Sequence, residues 1–393
     1  MLLSLYEKLS IIKKIILLIT AYFIVYLFYV IYFIDAPIIL YDSYTYIAQA
    51  LDIKNLINPE KNVILYDYYV EPGYHGRTIA YPFLIYLSGF LSGSNQNIFY
   101  VQLMFSLASF CLIILLLFVI KIRYNYLLLY FVITCLPIYM INAPHIMTES
   151  MASFFLILSI ITLFFSSKNR ALIILSSIFF AILTLIKSYH LYLPLILFSL
   201  FVYFFEKKTS LKNIITKILC FIIPYSFILY GQILYNKINN NFEGLAPYLG
   251  YHLSTKTVDF IENIDDPKYS ELKEILLKHR NNFILNNGID ERYSYIWNRR
   301  LQKELMEYSG KSQVEFEPII KNININLIIS NPLHYLSSVG DSIISFYFPY
   351  KSNVIDISKY HQIFYTLLHF IIIFTFFAAT SFYFTSLMNF FKY

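Results

Sequence analysis

Eight stretches of this chain, residues 15–34, 98–120, 126–142, 151–166, 171–186, 191–205, 218–235 and 364–386, are apolar and contain no Asp, Glu, Lys or Arg. Hydrocarbon offers no hydrogen-bond partner to a peptide group. An apolar segment alone in a bilayer must therefore satisfy its own N–H and C=O groups, which it does as a helix. At about 1.5 Å of rise per residue, roughly 20 residues cross a hydrocarbon core about 30 Å thick. The runs at 171–186 and 191–205 are short, and merging them across Lys187, Ser188, Tyr189 and His190 would give one longer span. Composition agrees with the membrane reading, because 58% hydrophobic against 14% charged over 393 residues leaves too little charge to cover a soluble surface. The expected fold class is an all-α polytopic membrane protein with about eight transmembrane helices.

Charge decides the sidedness and keeps the two short runs apart. Lys168 and Arg170 precede the pair, and Lys207, Lys208, Lys212 and Lys217 follow it. Short cytoplasmic loops are enriched in Lys and Arg, so both groups lie inside, which requires two crossings and an outer turn at 187–190. The same rule places Lys8, Lys13, Lys14, Lys121, Arg123 and Lys392 inside, with both termini cytoplasmic. The first run is too long for a signal-peptide core and no A-x-A site follows it, so it reads as an uncleaved anchor. The formal charge of +6 follows from this topology and does not call for a nucleic-acid partner.

Two large segments then face outward, 35–97 and 236–362, with short outer turns at 144–150 and 187–190. The chain divides into a transmembrane module over 1–235, which carries the first loop, an extracytoplasmic domain over 236–362 and a last span within 363–393. In the second segment Asp266-Pro267 precedes an amphipathic stretch at 269–279, and 295–308 repeats that pattern, so a small helical domain is expected. Cys111, Cys135 and Cys220 lie in apolar runs without CxxC or Cys/His spacing, which predicts neither a metal site nor a disulfide framework. No GxGxxG or GxxxxGK[ST] loop is present, and no cofactor is expected. Charged groups are missing from every run but gather just outside the outer ends of the first, third and fifth. That distribution points to a site at the outer interface, whereas transporters usually bind near the midplane on intramembrane ionisable groups.

The first outer segment carries Asp42-x-x-x-Tyr46-x-x-x-Ala50-Leu51, followed by Arg77-x-x-x-Tyr81-Pro82-x-Leu84-x-x-Leu87. Thr148-Glu149-Ser150 opens the fourth run, Leu183-Thr184-Leu185-Ile186-Lys187 closes the fifth, and Asn331-Pro332-Leu333-His334-Tyr335-Leu336 follows later. In order and sidedness this set resembles the polyprenyl-phosphate-dependent glycosyltransferases of the GT-C fold, among them the protein mannosyltransferases and aminoarabinose transferases. The chain departs from those relatives in Asp42-Ser43, where many have Asp-Glu, in Lys187, where many have Arg, and in its smaller number of spans.

The resemblance implies a GT-C-like inverting glycosyltransferase of the bacterial cytoplasmic (inner) membrane with its active site on the extracytoplasmic side. It implies a polyprenyl-phosphate-linked sugar as donor and a cell-envelope glycan or glycolipid, such as O-antigen, as acceptor. Chemistry gives the roles. A hydroxyl is a poor nucleophile and needs a base, for which the candidate is Asp42. A phosphate gaining charge as it leaves needs cations, for which the candidates are Arg77 and Lys187, with His190 as a donor. Glu149, Tyr46 and Tyr81 are the candidates for acceptor or sugar binding. Each residue also has a plainer reading. Asp42 reads as an interfacial acid or helix cap, Glu149 as an anion on a helix N-terminus, Lys187 as a snorkelling anchor and Arg77 as a headgroup contact. The rivals are an O-antigen polymerase, which would draw on Arg292, Arg299 and Arg300, and a flippase or exporter of lipid-linked sugars. Trp297 beside Asn298 reads either as a sugar-stacking aromatic or as packing within its own domain.

Overall fold

The computed structural model describes residues 41–57, 77–93, 95–119, 146–205 and 209–347, together with isolated positions between 13 and 27. It forms two compact units that divide between Pro247 and Tyr248. The described residues are helical, with no strand among them. The runs at 126–142 and 364–386, and most of 15–34, lie outside the described residues.

In the first unit the helices are α1 (Tyr41–Ile57), α2 (Ala80–Leu87), α3 (Asn95–Val119), α4 (Glu149–Phe164), α5 (Arg170–Ile186), α6 (Leu193–Phe205) and α7 (Leu211–Asn240). Among the described residues four segments are long and apolar enough to cross a membrane: Gln96–Leu116, Glu149–Ser167, Ser188–Phe205 and Leu211–Asn239. The run expected at 171–186 folds as α5, whose 17 residues make a shorter apolar helix, about 25 Å in length. α7 continues five residues beyond the apolar run that ends at Tyr235, because Asn236 sits inside the helix and its side-chain amide holds the carbonyls of Gly244 (2.7 Å) and Leu245 (2.9 Å). Leu115, Met104, Ile196, Leu200, Ile223 and Phe227 project from α3, α6 and α7 with large exposure. An apolar surface of this kind suits hydrocarbon rather than water.

Packing inside the unit follows membrane rules, in which small hydroxyl residues let helices approach and bond across. Ser176 on α5 donates to the Ser159 carbonyl on α4 (2.9 Å), and Ser177 donates to the Phe221 carbonyl on α7 (2.5 Å). Phe198 of α6 stacks on Phe221 at 4.2 Å between ring centroids, with Phe180 and Tyr225 beside it. α4 and α5 are joined by a short 3₁₀ turn ending at Asn169, whose side chain accepts from the Ala171 N–H and so caps α5.

This hairpin gives the unit two distinguishable ends. At one, Arg170 donates to Asn213 Oδ1 (3.1 Å) and Lys217 donates to the Ser167 carbonyl (2.7 Å), which brings Arg170 and Lys217 to the same end. The opposite end carries the start of α4, the end of α5 and the turn Ser188–Leu191.

The second unit contains α8 (Leu249–Thr257), α9 (Ser270–Asn287), α10 (Arg299–Ser309), α11 (Gln313–Ser330) and α12 (Pro332–Tyr347). α9 and α10 occupy most of the two amphipathic stretches, with a 3₁₀ segment (Ile289–Trp297) taking the start of the second. Asp266, Asn298 and Ser312 cap the helical segments that follow them, and Ser312 forms a reciprocal capping box with Glu315. α8 crosses α11 at Gly250, where Glu317 accepts from the Gly250 N–H and Asn324 donates to its carbonyl. Trp297 packs against Tyr248, Tyr251 and His252 of its own unit.

Candidate functional site

At the end of the first unit opposite Arg170, three segments distant in sequence meet. The first is the start of α1. Asp42 stands in its first turn, and further along the same helix Thr45 and Gln49, four residues apart, share one face. The Asp42 side chain lies outside the described residues. Ser43 beside it is fully buried and donates to the Ile146 carbonyl at 2.9 Å, which joins α1 to the residues leading into α4.

Residues 77–81 form the second segment. Arg77 Nε donates to Thr45 Oγ1 (3.1 Å), its guanidinium lies 4.9 Å from the centre of the Tyr46 ring, and its carbonyl accepts from Gln49 Nε2 (2.7 Å). Cation and aromatic face attract through the ring quadrupole, so this arrangement orients the guanidinium as well as holding it. Next along the chain, the Thr78 hydroxyl approaches the Ile186 carbonyl (3.4 Å) and the Ile79 N–H donates to Gln232 Oε1 on α7 (3.1 Å). The Tyr81 ring meets Tyr46 edge-on at 5.0 Å, and its hydroxyl donates to Gln102 Oε1 on α3 (2.5 Å).

The start of α4 and the end of α5 make the third. Glu149 Oε1 accepts from Lys187 Nζ at 2.6 Å, with the two side chains 29% and 16% exposed. Burial by itself would pull the Lys187 ammonium down, but the Glu149 carboxylate and Tyr189 outweigh it, so its pKa stands above the ordinary lysine value. Lys187 also lies 5.5 Å from the Tyr189 ring centre, and His190, half-buried in the same turn, is 4.3 Å from that ring. Two acceptor atoms in this region, Glu149 Oε2 and Gln49 Oε1, are buried and have no hydrogen-bond partner among the described residues.

The structure thus couples Glu149 directly to Lys187, Arg77 to Tyr46, and Tyr46 to Tyr81. The Ser43–Ile146 and Thr78–Ile186 bonds tie the immediate neighbours of Asp42 and Arg77 to the flanks of Glu149 and Lys187. Motif reading did not single out Gln49, Gln102 and Gln232, which fix the Arg77 segment. The available signal was a lone amide in each of the apolar runs 98–120 and 218–235, since an amide there demands a partner. In the second unit Arg292, on which a polymerase would draw, is engaged by Asp259 (2.6 Å) and lies 4.3 Å from the Tyr293 ring centre. No group of three or more possible metal ligands occurs among the described residues.

Fold and surface together define the class as a helical membrane protein. The chain matches no family model, no curated protein and no solved structure.

Proposed function

We propose that this chain is a GT-C-like inverting glycosyltransferase with about eight spans, working at the outer face of a bacterial cytoplasmic membrane. It takes a sugar from a polyprenyl phosphate and transfers it to a cell-envelope glycan or glycolipid. The observation that carries the reading is the convergence of two cations, a carboxylate and two tyrosines at one end of a bundle of apolar helices, opposite the basic end.

In this reading the acceptor hydroxyl attacks the anomeric carbon from the face opposite the phosphate, and its proton passes to Asp42. A positioned carboxylate of this kind contributes on the order of 10²- to 10⁴-fold. The bond from the anomeric carbon to the phosphate oxygen breaks with its electron pair going to oxygen, so the phosphate moves from one toward two negative charges. Arg77 and Lys187 meet that growing charge in a site with little water, where preorganised cations act most strongly. In this reading Glu149 contributes to acceptor binding, with its carboxylate paired to Lys187.

The test uses the purified full-length protein with a polyprenyl-phosphate sugar or a nucleotide sugar as donor. Transfer from the lipid donor alone is expected, because a nucleotide sugar made in the cytoplasm does not reach an outward-facing site. Asp42→Asn should abolish transfer with little loss of stability. Transfer from a nucleotide sugar without lipid, or near-normal turnover by Asp42→Asn, refutes the reading.

A further inference from the structure

In the second unit α9 and α10 run past each other and leave a groove of about 300 Å³ between them. An ion bridge lines part of it, in which Lys278 donates to both oxygens of Glu304 (2.8 and 3.1 Å) and His279 Nε2 lies 2.6 Å from Glu304 Oε2. Above this bridge, α9 lines one wall with Asn282 and Asn286, four residues apart and so on one face, and with the half-buried ring of Phe283. The opposite wall is the start of α10, with Asn298 and Arg300. The side-chain oxygen of Asn298 is used in capping α10, which leaves its amide N–H groups available. Asn282 and Asn286 make no hydrogen bond to other described residues, and the Arg300 guanidinium has no ion-pair partner among them. On the far side of the bridge a second groove is lined instead by Glu271, Glu274 and Glu307, so the two faces of the helix pair carry opposite character.

Each Asn amide presents a donor and an acceptor in one plane, a pattern that matches adjacent hydroxyls of a pyranose. A phenyl ring beside them covers the C–H face of such a ring, and an unpaired guanidinium takes a carboxylate through two parallel N–H bonds. A simple anion would use the guanidinium and leave the amides idle. We propose that this groove binds an acidic sugar, a hexuronate unit of a glycan chain. In this site Arg300 holds the carboxylate, Asn282, Asn286 and Asn298 hold the hydroxyls, and Phe283 lies against the ring. The volume fits a single sugar residue, at the lower end of the roughly 300 to 1,000 Å³ of small-molecule sites.

Binding is measured without any donor, so its outcome is independent of whether the first unit transfers sugar. The full-length protein in nanodiscs is titrated with a hexuronate tetrasaccharide, the corresponding neutral tetrasaccharide and inorganic phosphate. Affinity is read by calorimetry and contact by saturation transfer from protein to ligand protons. Saturable hexuronate binding is expected, at least about tenfold tighter than the neutral chain and weakened about tenfold or more by Arg300→Gln, since a bond to a charged group is lost. Phe283→Ala should remove saturation transfer to the ring C–H protons. Arg300 is exposed, so helical content and melting of the Arg300→Gln variant should match wild type. Absence of saturable hexuronate binding, unchanged affinity in Arg300→Gln, or phosphate binding as tight as the hexuronate would each overturn the proposal, the last by showing an anion site only.

Discussion

The contact between Glu149 and Lys187 makes a quantitative prediction, because its two groups sit between the regimes in which ion pairs are well understood. A fully exposed pair contributes about 0.2 to 1 kcal/mol, whereas removing one partner of a buried pair costs about 3 to 5 kcal/mol. With side-chain exposures of 16% and 29% and a separation of 2.6 Å, this pair lies nearer the buried case. Lys187→Met keeps the length of the aliphatic stem but leaves Glu149 with neither oxygen partnered, since Oε2 already has none among the described residues. The expected loss is about 2 to 3 kcal/mol, roughly a 30- to 150-fold change in the folded-to-unfolded ratio. Glu149→Gln should cost about 1 kcal/mol, because an amide oxygen still accepts from the ammonium. In the double variant no charge is left stranded, so the two costs should not add, and the coupling energy should be about 1 to 2 kcal/mol.

The assay is equilibrium unfolding in mixed micelles of rising denaturing-detergent fraction, followed by helical circular dichroism. Lys187 has a raised pKa in the folded state, so its contribution is full below the ordinary lysine value near 10.4 and is lost only as pH rises through the raised value. The coupling should therefore be flat between about pH 7 and 9. Additivity of the two single variants to within about 0.5 kcal/mol would refute the contact.

Three further outcomes are expected. In a background with the native cysteines replaced, Tyr189→Cys should react with an impermeant thiol reagent in intact cells and Lys212→Cys only after lysis, because Tyr189 is 71% exposed at the site end and Lys212 stands at the basic end; the reverse pattern would invert the topology. Gly250→Ala should destabilise the second unit by about 1 to 3 kcal/mol in thermal unfolding, since a Cβ there would lie 2.7 Å from the Lys321 backbone nitrogen and 2.9 Å from the Glu317 carbonyl oxygen; a neutral change would mean that α8 and α11 are further apart. The bond from Arg280 holds the Glu262 carboxyl below the usual carboxylate range, and bonds from Lys278 and His279 do the same for Glu304, so their stabilisation is complete above about pH 4.3 and fades as pH falls through the lowered values. Acid titration followed by circular dichroism should show wild type holding its helicity further into acid than Glu262→Gln, and coincident curves would exclude the role.

Much of the helical framework was legible because hydropathy alone decides it. The runs at 151–166, 171–186, 191–205 and 218–235 fall almost wholly within described helical segments, and the turn at 187–190 separates α5 from α6 where charge required it. The exit from α7 was not legible, since Asn236, Lys237 and Asn239 look like loop residues and only the bonds from Asn236 to Gly244 and Leu245 account for the helical continuation. For the same reason the hydropathy boundary at 235 and the division of the units after Pro247 do not coincide. At the site, residue types and their common end could be inferred, but not which would touch. Glu149 and Lys187 are 38 positions apart and meet because the α4–α5 hairpin brings the first residue of one helix level with the cap of the other.

The polar residues buried in the first unit explain how a charged site is held at the rim of an apolar bundle. A charge at the centre of a bilayer costs about 2.5 to 3.5 kcal/mol or more, so the helices cannot carry cations inward to anchor the loops. They carry amides instead, which are neutral and bond the loop residues without bringing a charge inward. Gln102 on α3 receives the Tyr81 hydroxyl, Gln232 on α7 receives the Ile79 N–H, and Gln49 on α1 bonds the Arg77 carbonyl. Three helices therefore grip five consecutive residues, and a cation that stands on a loop in sequence is held by the bundle in space. Its chemistry is then tied to its shape: the Nε contact to Thr45 and the position beside the Tyr46 ring use the planar guanidinium, which a lysine at 77 does not reproduce. Lys187 differs in kind, being a point charge paired with the Glu149 carboxylate, so the two cations are not duplicates. Backbone, hydroxyl and ring contacts orient Arg77, whereas Lys187 rests on the Glu149 carboxylate and the Tyr189 ring, so replacing Glu149 acts directly on Lys187.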